Sequence, residues 1–230
     1  MKVTRTRSIL LICMGAIGYW YYHDAKPKIW GDEPDEPYIT IFGKKPIDAN
    51  IDAWAIWGAS GSQCGAKTWS ADSGWSDGAN VKWHITHDFS NDPSQYELRI
   101  PFQQYQDSLD CEVILGDITV QAYNAFDTVG FAQLRIYQSG TDYNDKPIDL
   151  NSTIQARKCE PFYSPKYDRW TNGFGCFYYV NGERKSKEQE FNAETVYFNF
   201  SQFSSDTVIH YDIVAGEEYR STPLDPQTGK

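Results

Sequence analysis

Residues Cys111–Gln138 read CEVILGDITVQAYNAFDTVGFAQLRIYQ and hold the most persistent two-residue alternation in the chain. Ile118, Val120 and Ala122 fall on one side, with Thr119, Gln121 and Tyr123 on the other; further on, Ala132, Leu134 and Ile136 oppose Phe131, Gln133 and Arg135. Successive strand side chains point to opposite faces, so the pattern predicts half-buried antiparallel strands. The inward register changes at Gly116-Asp117, which predicts a bulge in preference to a two-residue hairpin turn.

The same period extends outward in both directions. Tyr38–Gly43 (YITIFG) and Ile51–Trp57 (IDAWAIW) read as strands, as does Val81–Phe89, where Val81, Trp83, Ile85, His87 and Phe89 alternate with Lys82, His84, Thr86 and Asp88. Tyr96, Leu98, Ile100 and Phe102 follow, and Pro101 assigns that strand to a sheet edge or a bulge. Tyr178–Val180 runs into Asn181-Gly182, a hairpin signal whose return arm, ERKSKEQEF, is too charged to be more than an exposed arm. Val196–Phe200 and Val208–Val214 close the series. With about ten such strands and no convincing helix, residues 38–214 are expected to form an all-β domain. Its expected form is an antiparallel β-sandwich, immunoglobulin-like or jelly-roll-like, with a flattened barrel or two smaller sandwiches joined near Gly140–Ser152 as alternatives. Residues 215–230 read as a polar tail.

The N-terminus is of another kind. Lys2, Arg5 and Arg7 precede 15 uncharged residues, Ser8–Tyr22. That length lies between a signal-peptide core and a membrane-spanning helix. Residues 1–22 are therefore read as a short hydrophobic helix acting as an anchor, with Tyr19-Trp20-Tyr21-Tyr22 as an interfacial belt. The alternatives are a signal peptide cleaved after Ala16-Ile17-Gly18 and a lipoprotein acylated on Cys13. Each of the three exports residues 24–230. Residues 23–37, with three prolines and five acidic groups, read as an extended linker.

Export makes the cysteines informative. Apart from Cys13, four remain, and an even number in an oxidising compartment predicts two disulfides. Of the three connectivities, pairing neighbours in sequence gives Cys64–Cys111 and Cys159–Cys176. The first pins the Gly- and Ser-rich loop Gly58–Asn80 to the central strand; the second ties off the loop EPFYSPKYDRWTNGFG. No C-x-x-C spacing points to redox or zinc chemistry.

Setting aside Lys2, Arg5 and Arg7 leaves 18 basic residues against 31 acidic ones, a net −13. That balance argues against nucleic acid and anionic lipid as partners. It suits solubility, or a basic protein steered in by long-range attraction.

Catalytic and metal patterns are weak. His84 and His87 have the H-x-x-H spacing, but on a strand they face opposite ways and cannot share a metal. Gly58-Ala59-Ser60-Gly61-Ser62 does not match a nucleophile elbow. Asp72, Asp77 and Asn80 lack the ligand spacing of a calcium loop, and turn capping explains them. No cofactor, metal or catalytic residue is assigned. The aromatic content is more suggestive: 8 Trp, 16 Tyr and 12 Phe. Trp54 and Trp57 occupy opposite strand faces, so one belongs to the core. Trp69 and Trp75 lie in the loop. They are expected as plugs at the end of the sandwich, or else as exposed rings for a sugar or a protein. The candidate binding residues are Trp69, Trp75, Asp72, Asp77 and Tyr143.

The function expected from these features is a non-enzymatic, membrane-tethered periplasmic protein that binds a protein partner. A basic partner suits the charge, in the way an immunity protein blocks a toxin. A carbohydrate-binding module and a hydrolase with an unrecognised site are the alternatives.

Overall fold

The computed structural model describes residues 14–15, 36–72, 74–107, 109–140, 146–164, 168–189 and 193–223. The readings made for residues 1–22 and 23–37 fall outside these, save for Met14, Gly15, Glu36 and Pro37, and so does Tyr143. Among the described residues no helix is long and apolar enough to cross a membrane.

Apart from Met14 and Gly15, which are helical, the described chain is all-β, with a single short 3-10 turn, Phe200–Gln202. One sheet runs from edge to edge as β14 (Glu183–Arg184), β13 (Gly175–Val180), β10 (Thr153–Glu160), β16 (Val208–Ala215), β1 (Tyr38–Lys44) and β6 (Gln95–Pro101). A second runs as β15 (Glu194–Phe198), β9 (Phe131–Gln138), β8 (Glu112–Tyr123), β2 (Asn50–Ser60) and β5 (Ala79–Ile85), with β7 (Tyr105–Gln106) added to β8. Two separate hairpins pair β3 (Lys67–Ser70) with β4 (Gly74–Asp77) and β11 (Tyr163–Ser164) with β12 (Arg169–Trp170).

The opening stretch follows its alternation in part: Thr119 and Phe131, expected on the outer side, are buried as well, and the β8–β9 register shifts between Val120 and Ala122. Ile118, Val120, Ala122, Leu134 and Ile136 are fully buried. β8 pairs Asp117 with Ile56 and Leu115 with Trp57, leaving Gly116 as the extra residue of a bulge. The bulge lets Val113 and Leu115 point inward before it and Ile118 after it. Pro101 ends β6, an edge strand, where its missing N–H costs no ladder bond.

The sheets are mixed, not antiparallel. β16 lies parallel to both β1 and β10, and β15 parallel to β9. Alternation reports which face is buried and is blind to strand direction. Buried residues of both sheets belong to one hydrophobic cluster. Tyr211 of β16 reaches across it, donating its hydroxyl to the Ala132 carbonyl of β9, while the Tyr96 hydroxyl donates to the Tyr211 carbonyl at 2.7 Å. That carbonyl stands 1.7 Å from where a Cβ would sit on Gly43, so only glycine fits there. Burial pushes both tyrosine hydroxyls well above their ordinary pKa.

Other expectations change at their edges. β5 stops at Ile85, because Asp88 turns the chain: its carboxylate accepts the Ser90 and Glu97 backbone N–H groups. The start of the supposed polar tail packs back. Tyr219 stacks on Phe174 at 4.9 Å, its hydroxyl donates to Asp48 and it accepts a bond from the Asn124 amide.

Both disulfides form as Cys64–Cys111 and Cys159–Cys176. They are compatible with an exported, oxidising compartment.

Candidate functional site

The Gly58–Asn80 loop is organised by its cystine. Cys64 is bonded to Cys111, next to the first residue of β8, and Gly65 N–H donates to the Leu109 carbonyl at 2.9 Å. From that anchor the chain makes the β3–β4 hairpin. Gly78 closes it with φ of 92°, in the left-handed region, and a Cβ there would stand 2.7 Å from the Ala59 carbonyl. The Gly78 carbonyl accepts the Thr68 hydroxyl, and its N–H donates to Ala66.

Trp69 and Trp75 are direct cross-strand partners on this hairpin, 60% and 71% exposed. The expectation that they plug a core is therefore overturned, and the alternative of exposed rings fits: among the described residues no sheet passes over the hairpin to cover them. Asp77 forms an ion pair with Lys67 at 2.6 Å, and that hydrogen bond holds its carboxyl below the usual range. Asp72 lies exposed in the connecting turn. Four of the five candidate binding residues thus share one small hairpin; Tyr143, outside the described residues, is not placed.

Sequence reasoning missed a second pair. The Cys159–Cys176 loop forms the β11–β12 hairpin, in which Tyr163 faces Trp170. They are 45% and 58% exposed, with ring centroids 6.2 Å apart. Two aromatics, Tyr163 and Trp170, within one cystine-closed loop are the available signal. The base of this hairpin is a network of polar bonds. Phe162 N–H donates to the Thr171 hydroxyl and Thr171 N–H to the Phe162 carbonyl. Phe174 N–H donates to buried Asp127 at 2.8 Å. Close by, the buried Glu160 pairs with Lys158 at 3.2 Å and accepts the Glu218 N–H.

The hairpins stand at opposite ends of the second sheet. Cys111 adjoins the end where Ser60 pairs with Glu112; Asp127 adjoins the end where Asn50 pairs with Tyr123.

At that second end a cleft of about 690 Å³ is lined by Lys45, Asp52, His84, His87, Asp88 and Tyr123, among others. With β5 ending at Ile85, the opposite-face argument no longer separates the histidines, and both reach this cleft. His84 Nδ1 lies 3.8 Å from Asp52, and His87 packs edge-on against Phe89. Lys45 is occupied by the Ala49 and Pro93 carbonyls. Neither histidine is hydrogen-bonded to a hydroxyl or thiol among the described residues, as nucleophile activation requires. No described group of three His, Cys, Asp or Glu residues is placed to hold a metal ion.

No protein-family model, curated protein or solved structure matches this chain.

Proposed function

We propose that this protein is an exported β-sandwich, tethered on the periplasmic side of the bacterial inner membrane, that binds a basic protein without catalysing a reaction on it. The observation that carries this reading is the Trp69–Trp75 pair, held out in solvent on a hairpin anchored by a cystine. Large exposed aromatics on a rigid mount lose little conformational freedom on binding and make effective contact anchors. The excess of acidic residues in the exported part favours encounter with a cation-rich partner.

Affinity capture with the tagged full-length protein from detergent-solubilised envelopes tests this. The expected result is one or a few basic proteins, retained at low salt, released at high salt and absent with Trp69→Ala/Trp75→Ala. Capture that is indifferent to salt and contains no basic protein contradicts the proposal.

A further inference from the structure

The outward face of the second sheet carries a groove that none of the candidate residues touches. Strand register sets Lys82, Ile56, Asp117, Tyr137 and Tyr197 in one row across β5, β2, β8, β9 and β15. In the next row, Gly58 stands between Asn80 and Ile114. Glycine there, and the bulge at Gly116 beside it, leave the surface hollow. The resulting groove, of about 700 Å³, runs past Ile56, Asn80, Ile114, Asp117, Tyr137 and Tyr197.

Its chemistry is specific. Tyr137 and Tyr197 are half-buried, with ring centroids 6.2 Å apart and planes 34° apart, and so present aromatic surface along one wall. Asp117 is half-buried and accepts no hydrogen bond from a described residue. Two cations stand near enough to act on it, each engaged elsewhere: Lys82 lies 3.9 Å over the Trp54 ring and Arg135 Nε donates to Gln133. Burial pushes the Asp117 carboxyl up, while Arg135 and Lys82 draw it down.

Arg135 and Lys82 offset the charge of Asp117 only in part, since burial still leaves its carboxyl above the ordinary value, and among the described residues its oxygens lack donors. A cationic ligand would meet Lys82 and Arg135; an anionic one would meet Asp117. Over β2, β8 and β9, the floor of the groove, a peptide strand would find no free backbone, because the sheet's own ladders use it. A neutral ring carrying hydroxyls on its rim and an apolar face satisfies both the carboxylate and the tyrosines. We propose that the groove binds a neutral glycan, with pyranose rings lying on Tyr137 and Tyr197 and hydroxyls donating to Asp117.

Calorimetric titration of the full-length protein in detergent tests this with cellohexaose, maltohexaose, mannohexaose and chitohexaose, and with hexagalacturonate and hexalysine as charged controls. Saturable binding of at least one neutral hexasaccharide is expected. Gly58→Leu is the sharpest variant, since its Cβ would stand 3.6 Å from Asn80 Oδ1, an ordinary contact, while the side chain fills the groove. It and Tyr137→Ala are each expected to weaken binding at least tenfold, with the thermal midpoint of Gly58→Leu unchanged. Trp69→Ala/Trp75→Ala is expected to leave sugar binding intact, which separates this site from the hairpin. The proposal is overturned if no neutral hexasaccharide binds at millimolar concentration, if binding survives Gly58→Leu, or if only a charged control binds.

Discussion

The two hairpins use one device on different footings. Each follows a cystine and displays a cross-strand aromatic pair, Trp69–Trp75 in one and Tyr163–Trp170 in the other. The first consists almost wholly of exposed and half-exposed residues, and its links to the sheet include the Cys64–Cys111 bond and main-chain hydrogen bonds. The second grows out of the core. Cys159 and Cys176 are buried, Phe174 stacks between Phe126 and Tyr219, and Asp127 binds the backbone beneath it. A covalent bond therefore substitutes, in the first hairpin, for what packing and buried polar bonds supply in the second.

The largest expected effect comes from removing the cystines one at a time. They close loops with sequence separations of 47 and 17 residues. Loop entropy alone puts Cys64→Ala/Cys111→Ala at about 4 kcal/mol and Cys159→Ala/Cys176→Ala at about 3 kcal/mol. Urea unfolding gives the totals, and hydrogen exchange shows where the loss falls. The first variant is expected to expose the amides of Lys67–Ser70 and Gly74–Asp77. In the second, the Thr171 and Phe174 amides are expected to stay protected. Equal loss of protection in both hairpins would erase the contrast.

A smaller effect sharpens it from the other side. Asp127 accepts the backbone N–H groups of Val129, Gly130 and Phe174. Asp127→Ala strands these donors in a largely buried site and is expected to cost about 2 kcal/mol. Chemical denaturation measures it; a cost within experimental error would mean that the second hairpin does not rest on this network.

How much of this the sequence shows depends on the kind of information each feature needs. The Gly116 bulge and the Asn181-Gly182 turn are local, and the structure bears them out; the β8–β9 alternation holds except at Thr119 and Phe131, which are buried beside a register shift that only the cross-strand pairing reveals. The cystine pairing follows from sequence proximity, and it holds. The parallel placement of β16 between β1 and β10 leaves no local mark, because burial alternates identically in either direction. Trp69 and Trp75 looked like core material by residue type; their exposure depends on which elements pass over them, which is a long-range fact. Tyr219 is hidden by the charged residues around it, Glu217 and Glu218 before and Arg220 after. Tyr163 and Trp170 carry no strand period, and sequence alone leaves them inside a loop. The groove over Asp117 needed cross-strand register, in which residues 58, 114, 117, 137 and 197 become neighbours.

The most direct test of the claim that the first hairpin is the contact element is photocrosslinking in living cells. A photoreactive residue is placed at position 69 or, as the comparison, at position 170 of the full-length protein. An abundant covalent adduct with one basic protein is expected from position 69 and not from position 170. Adducts from position 170 alone, or none from position 69, would contradict the account.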